Sequence, residues 1–192
     1  MSIIVRLLIS GTLSSGIFET NFSNAAMKIR KEEIKNTQEL VTYLRHIIPD
    51  DIKFKEEFSK TNVSKSTLSK YYLSTIENFH RSKSTKADLI PNNDEAAVNI
   101  EHILPKNIFD SWTGFTEEEH KFYTNRLGNQ TLLSSTINSK IGNHSFVQKK
   151  NVFAESDFLI TRELASLNRW TIPEINERQN KFAELAVKCW KV

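Results

Sequence analysis

The chain is poor in several features that would otherwise fix its class. One cysteine, Cys189, among 192 residues excludes an internal disulfide and a thiolate zinc cluster, and makes the reducing cytoplasm the expected compartment. Five glycines and four prolines are too few for a long disordered linker or a low-complexity tract, so order is expected nearly throughout. No apolar run approaches the roughly 20 residues that a membrane-spanning helix needs, and no membrane association is expected. The opening MSIIVRLLISGTLSSGIF imitates a secretory leader, but Arg6 interrupts the apolar stretch and no basic segment precedes it. A core helix, cut short at its start, is the expectation instead. Charge of one sign is also lacking: 26 basic against 23 acidic residues give +3, which permits a polyanionic partner without demanding one.

What remains is ordinary for a folded protein, with 39% hydrophobic and 26% charged residues in a chain long enough to bury a core. Asn36, with Glu39 behind it, has the form of a helix start, and Leu40, Val41, Leu44, Ile47 and Ile48 follow at helical spacing until Pro49. Leu68, Tyr71, Tyr72, Ile76 and Phe79 repeat the pattern. From Arg81 to Ala97 the periodicity is lost and Ser, Lys, Asn, Asp and Pro gather, which divides the chain into a helical part, 1–90, and a second domain, 91–192.

The second part changes character. Val98-Asn99-Ile100-Glu101-His102-Ile103 alternates as a short strand does and stops before Pro105. Thr116 with Glu119 opens a short helix, Leu127-Gly128-Asn129 turns the chain, and Gln130 to Leu133 read as a second strand. A helix carrying Asn138 is expected to start at Ser134 or Ser135 and to end at Gly142-Asn143. Thr171 with Glu174 opens a last helix whose apolar face holds Ile175, Phe182, Leu185, Ala186 and Cys189. Trp112, Trp170 and Trp190 are expected in the core, and His46, His80, His120 and His144 carry no assigned role.

Strand, turn, strand and helix between Val98 and Gly142 bring Glu101, His102, Asn129 and Asn138 into the order found in a ββα-metal nuclease. Phosphodiester hydrolysis needs a water deprotonated near neutral pH and a cation that stabilises charge on the phosphate and the departing oxygen. His102 suits the first task, because an imidazole with a pKa near 6.5 keeps a neutral fraction at pH 7, and carbonyls of the turn at Asn129 are expected to hold its tautomer. Glu101 and the Asn138 amide suit the second. Oxygen ligands without thiolate favour Mg²⁺ or Mn²⁺. Lys140, Lys149 and Lys150 follow closely and are candidates for phosphate contact.

Residues 98–192 resemble the C-terminal nuclease domain of GmrSD-type, modification-dependent restriction endonucleases, of the HNH or His-Me finger group, and the helical segment before them, 1–90, resembles part of the spacer that precedes that domain. The resemblance runs through Asn99-Ile100-Glu101-His102-Ile103-Leu104-Pro105-Lys106-Asn107, then Leu127-Gly128-Asn129-Gln130-Thr131-Leu132-Leu133. It continues from Asn138 through Ile141-Gly142-Asn143-His144-Ser145-Phe146 to Lys149, and ends on Trp170, Ile175 and Arg178. It implies His102 as general base, Glu101 and Asn138 as metal ligands with Asn143 as rival ligand, and Asn129 as the residue that positions the base. It also implies Mg²⁺-dependent cleavage of DNA in defence against modified phage DNA. A ParB-like nucleotide-binding domain usually precedes this nuclease domain and has no counterpart here, so the chain resembles a truncated or split half whose partner is encoded upstream. The expected fold is α+β, mostly helical, with a ββα-metal core framed by helices. A non-catalytic DNA-binding or assembly module and an RNA-cutting toxin remain as rival readings.

Overall fold

The computed structural model describes residues 1–11, 15–81, 98–107, 112–135 and 141–192. It forms two compact units, one of residues 1–58 with 186–192 and the other of residues 59–185. The first holds α1 (Ser2–Ile9), α2 (Ser15–Arg30), α3 (Thr37–Leu44) and most of α4 (Asp51–Lys60). Asn36 caps α3 by accepting the Glu39 amide at 2.9 Å. The Glu39 carboxylate reaches back one residue further than a simple capping box, to the Lys35 amide at 2.7 Å. Leu44 and Ile48 pack with Ala25, and Leu40 and Ile47 cover them, although α3 ends at Leu44 and Ile47 and Ile48 lie in the turns that follow it.

Arg6, the residue that breaks the opening apolar run, is 2% exposed. Its guanidinium donates to the carbonyls of Trp190 and Pro49 and pairs with Asp51 at 2.5 Å. It also lies over the Phe54 ring, so the cation inside an apolar helix ties α1 to the start of α4 and to the chain's last residues.

The second unit is built on α5 (Ser66–Arg81), β1 (Val98–His102), α6 (Glu117–Thr124), β2 (Gln130–Ser134), α7 (Phe146–Ala154), a single turn α8 (Leu159–Arg162) and most of α9 (Ile172–Cys189). Thr116 and Glu119 make the reciprocal capping box at the start of α6. β1 and β2 pair antiparallel, with Glu101 opposite Thr131 and His102 opposite Gln130. Ile103, Leu104, Trp112, Leu133, Phe146, Phe153, Trp170 and Ile175 form one core cluster, in which each fully buried side chain contributes about 1.5–3 kcal/mol.

Two features depart from the sequence reading. The alternation in β1 predicts Glu101 on an outer face with Asn99, yet Glu101 is buried and Ile100 half-buried. The two-stranded sheet is covered by helices, α5 against both strands and α8 against β2, so no face of β2 is left to water before Ser134. The compact units also do not follow the division at 81–97. Helix α5 belongs with the sheet, because its buried Glu77 accepts the amides of Leu159 and Ile160 at 2.9 and 3.0 Å and so caps α8.

Candidate functional site

The site is assembled where β1 ends. Ile103 and Leu104 are fully buried, so the two residues after His102 are pinned in the core and the His102 backbone cannot drift. Asn129, the last residue of a short 3-10 turn (Leu127–Asn129), lies one residue before β2. Its carbonyl accepts the Ile103 amide at 2.9 Å, and its side-chain oxygen accepts the Leu104 amide at 2.8 Å and the Trp170 indole at 2.9 Å. Its side-chain nitrogen donates to the carbonyls of Leu104 and Thr124 at 3.0 and 3.1 Å. The Asn129 amide therefore fixes the turn, as its sequence context allows, and also clamps the chain just after His102.

Side-chain donors take every carbonyl from His102 to Pro105. Lys149 Nζ, from α7, donates to His102 O at 2.9 Å and Ile103 O at 3.1 Å, Asn129 to Leu104 O, and His120, from α6, meets Pro105 O at 2.7 Å. A carbonyl can only accept, so His120 Nε2 carries its proton there. His120 and Trp170 are thus parts of the frame, although no role for His120 was legible in the sequence.

Lys149 is fully buried and forms an ion pair with Glu101 at 2.6 Å. This corrects its expected place among phosphate-contacting lysines: the ammonium has no exposed surface and is spent on Glu101 and two carbonyls. Burial raises the Glu101 carboxyl above its ordinary range, although Lys149 pulls it down, and burial lowers Lys149 against the attraction of Glu101. His102 is half-buried, and its pKa falls from 6.5 to about 4 because burial disfavours the cation and Lys106 and Lys149 repel it. The imidazole is therefore neutral at pH 7.

The other expected residues are placed as follows. Asn143 is exposed beside Gly142, whose φ of +44° is a conformation suited to glycine, and Lys150 is half-buried on α7. Asn138 and Lys140, with the helix expected to carry Asn138, lie outside the described residues. Glu101, His102, Asn129 and Lys149 thus share one network. Among the described residues no group of three or more His, Cys, Asp and Glu side chains stands ready for a metal. A cation at Glu101 would complete its shell from amide, phosphate or water oxygen, a donor set suited to a hard ion.

The frame extends beneath the turn. Buried Arg178 donates to the carbonyls of Gly128 and Gln130, both at 2.7 Å, and Gln179 accepts the Gly128 amide at 2.6 Å. Helix α9 comes so close that a Cβ on Gly128 would stand 2.5 Å from the Ile175 carbonyl. A surface concavity lined by Glu163, Glu174, Glu177, Lys181 and Glu184 contains neither Glu101 nor His102, and its acidic walls do not suit a polyanion.

Among the described residues, no helix is long and apolar enough to cross a membrane. Comparison with curated proteins gives no match. A family model does match, over residues 48–185, from just before α4 through α5, both strands and most of α9. It takes in part of the helical segment ahead of residue 98 as well as the nuclease domain. Since that match takes in well over half of the chain and the whole Glu101–Asn129–Lys149 network, the protein belongs to the family of GmrSD restriction endonuclease C-terminal domains.

Proposed function

We propose that this chain is the nuclease part of a restriction system and hydrolyses DNA phosphodiester bonds in the cytoplasm, with His102 as general base. The observation that carries the reading is a half-buried, neutral imidazole on a strand end whose carbonyls from His102 to Pro105 are all bonded by side-chain donors. A neutral imidazole has one unprotonated ring nitrogen that can accept a proton from an attacking water, and an anchored backbone lowers the entropic part of the barrier. Asn129 positions the base through the Ile103–Leu104 backbone. Glu101 and Asn138, with Asn143 as rival ligand, would hold Mg²⁺ or Mn²⁺. The bound ion would supply charge stabilisation at the phosphate and the departing oxygen. Lys140 and Lys150 would face phosphates. The implied partners are modified phage DNA and a ParB-like domain or subunit encoded upstream.

The test is a cleavage assay on supercoiled DNA and on single-stranded RNA, with the chain alone and with any such partner. Each reaction is run with Mg²⁺, with Mn²⁺ and with a chelator. Metal-stimulated nicking of DNA supports the proposal. Cleavage of RNA alone turns it towards the toxin reading, and DNA binding without cutting under every condition rejects catalysis.

A further inference from the structure

Glu101, the carboxylate assigned above to a divalent ion, is already matched with a cation belonging to the protein. Lys149 Nζ sits 2.6 Å from Glu101 Oε1, with the lysine fully buried and 11% of the Glu101 side chain exposed. The ammonium also bonds the His102 and Ile103 carbonyls and lies 6.0 Å from the Trp112 ring centre. An ammonium has three donors, and these three oxygens use them all. Lysine is rarely buried, and an ion pair costs more to bury than it returns unless its geometry is good, so such a pair is a weak device for stability alone. Its location points to another use: one group contacts both the expected ligand and the main chain of the expected base.

We infer that Lys149 is a positioning residue that fixes Glu101 and the His102 backbone for cation binding and, by its own charge, limits how tightly the cation is held. This rests on the reading of Glu101 as a ligand. Without a metal, Lys149 neutralises a carboxylate that would otherwise be buried alone. A divalent ion held by Glu101 would be repelled by the Lys149 ammonium, and so would be bound less tightly than Glu101 alone would bind it. The charge that weakens binding is the same charge that holds the carboxylate and the base in register.

The experiment compares wild type with Lys149→Met, which keeps length and removes charge, by calorimetric titration with Mn²⁺ and by single-turnover DNA cleavage. Removing a unit charge next to a divalent ion is expected to tighten Mn²⁺ binding about tenfold or more. Cleavage at saturating Mn²⁺ is expected to slow by about tenfold or more as the base loses its register. A residue that served only the fold would lower the unfolding midpoint and leave the Mn²⁺ affinity of the folded fraction unchanged, which overturns the inference. Should Lys149→Met not fold, side-chain NMR of the wild-type chain decides: the shielded Lys149 ammonium signal must shift on Mg²⁺ addition, and a signal that stays still overturns the inference. Wild type that binds no Mn²⁺ and whose cleavage ignores metal overturns the ligand reading itself. Wild type that binds and cuts, beside a variant of unchanged affinity, overturns only the role of Lys149.

Discussion

Replacing Asn129 with alanine removes four hydrogen bonds that tie the end of β1 to the Thr124 carbonyl and to Trp170. The groups left behind are the Leu104 amide, the Leu104 and Thr124 carbonyls and the Trp170 indole. Leu104 is fully buried and Trp170 is 3% exposed, so bulk water does not replace what is lost. Each buried group without a partner costs about 1–3 kcal/mol, and a water entering the vacated space recovers part of the sum, so a loss of about 3–5 kcal/mol is expected. Urea unfolding followed by tryptophan fluorescence measures it. A loss below about 1 kcal/mol would refute the claim that this side chain is the clamp. Asn129→Asp adds a test of sign. Its carboxylate keeps the two accepted bonds but turns a second oxygen towards two carbonyls, so the folded state favours the protonated acid and its pKa lies above the unfolded value. The variant must therefore approach wild-type stability as pH falls and lose it as pH rises through the folded pKa. The opposite slope would contradict the hydrogen-bond assignment.

Gly128→Ala, which drives a methyl towards the Ile175 carbonyl, should cost about 3 kcal/mol, and a variant that unfolds at the wild-type urea concentration would show that α9 yields there. Arg178→Lys keeps the charge but cannot span the Gly128, Gln130 and Ile160 carbonyls, so thermal and urea unfolding should show about 2–4 kcal/mol lost; near-wild-type stability would mean that charge, and not the fork, matters. Because the pKa of His102 is depressed to about 4 in the folded state, the unfolded chain binds more protons between that value and 6.5. Stability from this residue is then complete above pH 6.5 and declines as pH falls towards 4, by up to about 3 kcal/mol. His102→Gln should lack this slope, and a variant whose stability follows the wild-type pH profile would contradict the depressed pKa.

Local signals were readable wherever the physics is local. Thr116 with Glu119 and Thr171 with Glu174 mark helix starts because each pair is complete within four residues, and both strands follow from β-forming runs bounded by a turn. The buried state of Glu101 and Lys149 was not readable. Gln148-Lys149-Lys150 reads as a solvated run, and only the tertiary placement of α7 against β1 turns one of those lysines inward, 48 positions from its partner. Helix α7 itself has too weak an apolar stripe to announce itself. The division between the units was obscured for a similar reason, since the role of α5 depends on Glu77 capping a turn more than 80 positions away. Asn129 was legible as a turn residue, whereas the four groups its side chain bonds came only from the fold.

The most direct test of the central claim is the single-turnover rate of DNA cleavage at saturating metal for wild type and His102→Ala, with each rate divided by the folded fraction and DNA affinity measured alongside. The rate is expected to fall by about 10² to 10⁴ with affinity unchanged, because the base is lost while phosphate contacts persist. Equal metal-stimulated rates in the two proteins would contradict that claim and remove His102 from the chemistry.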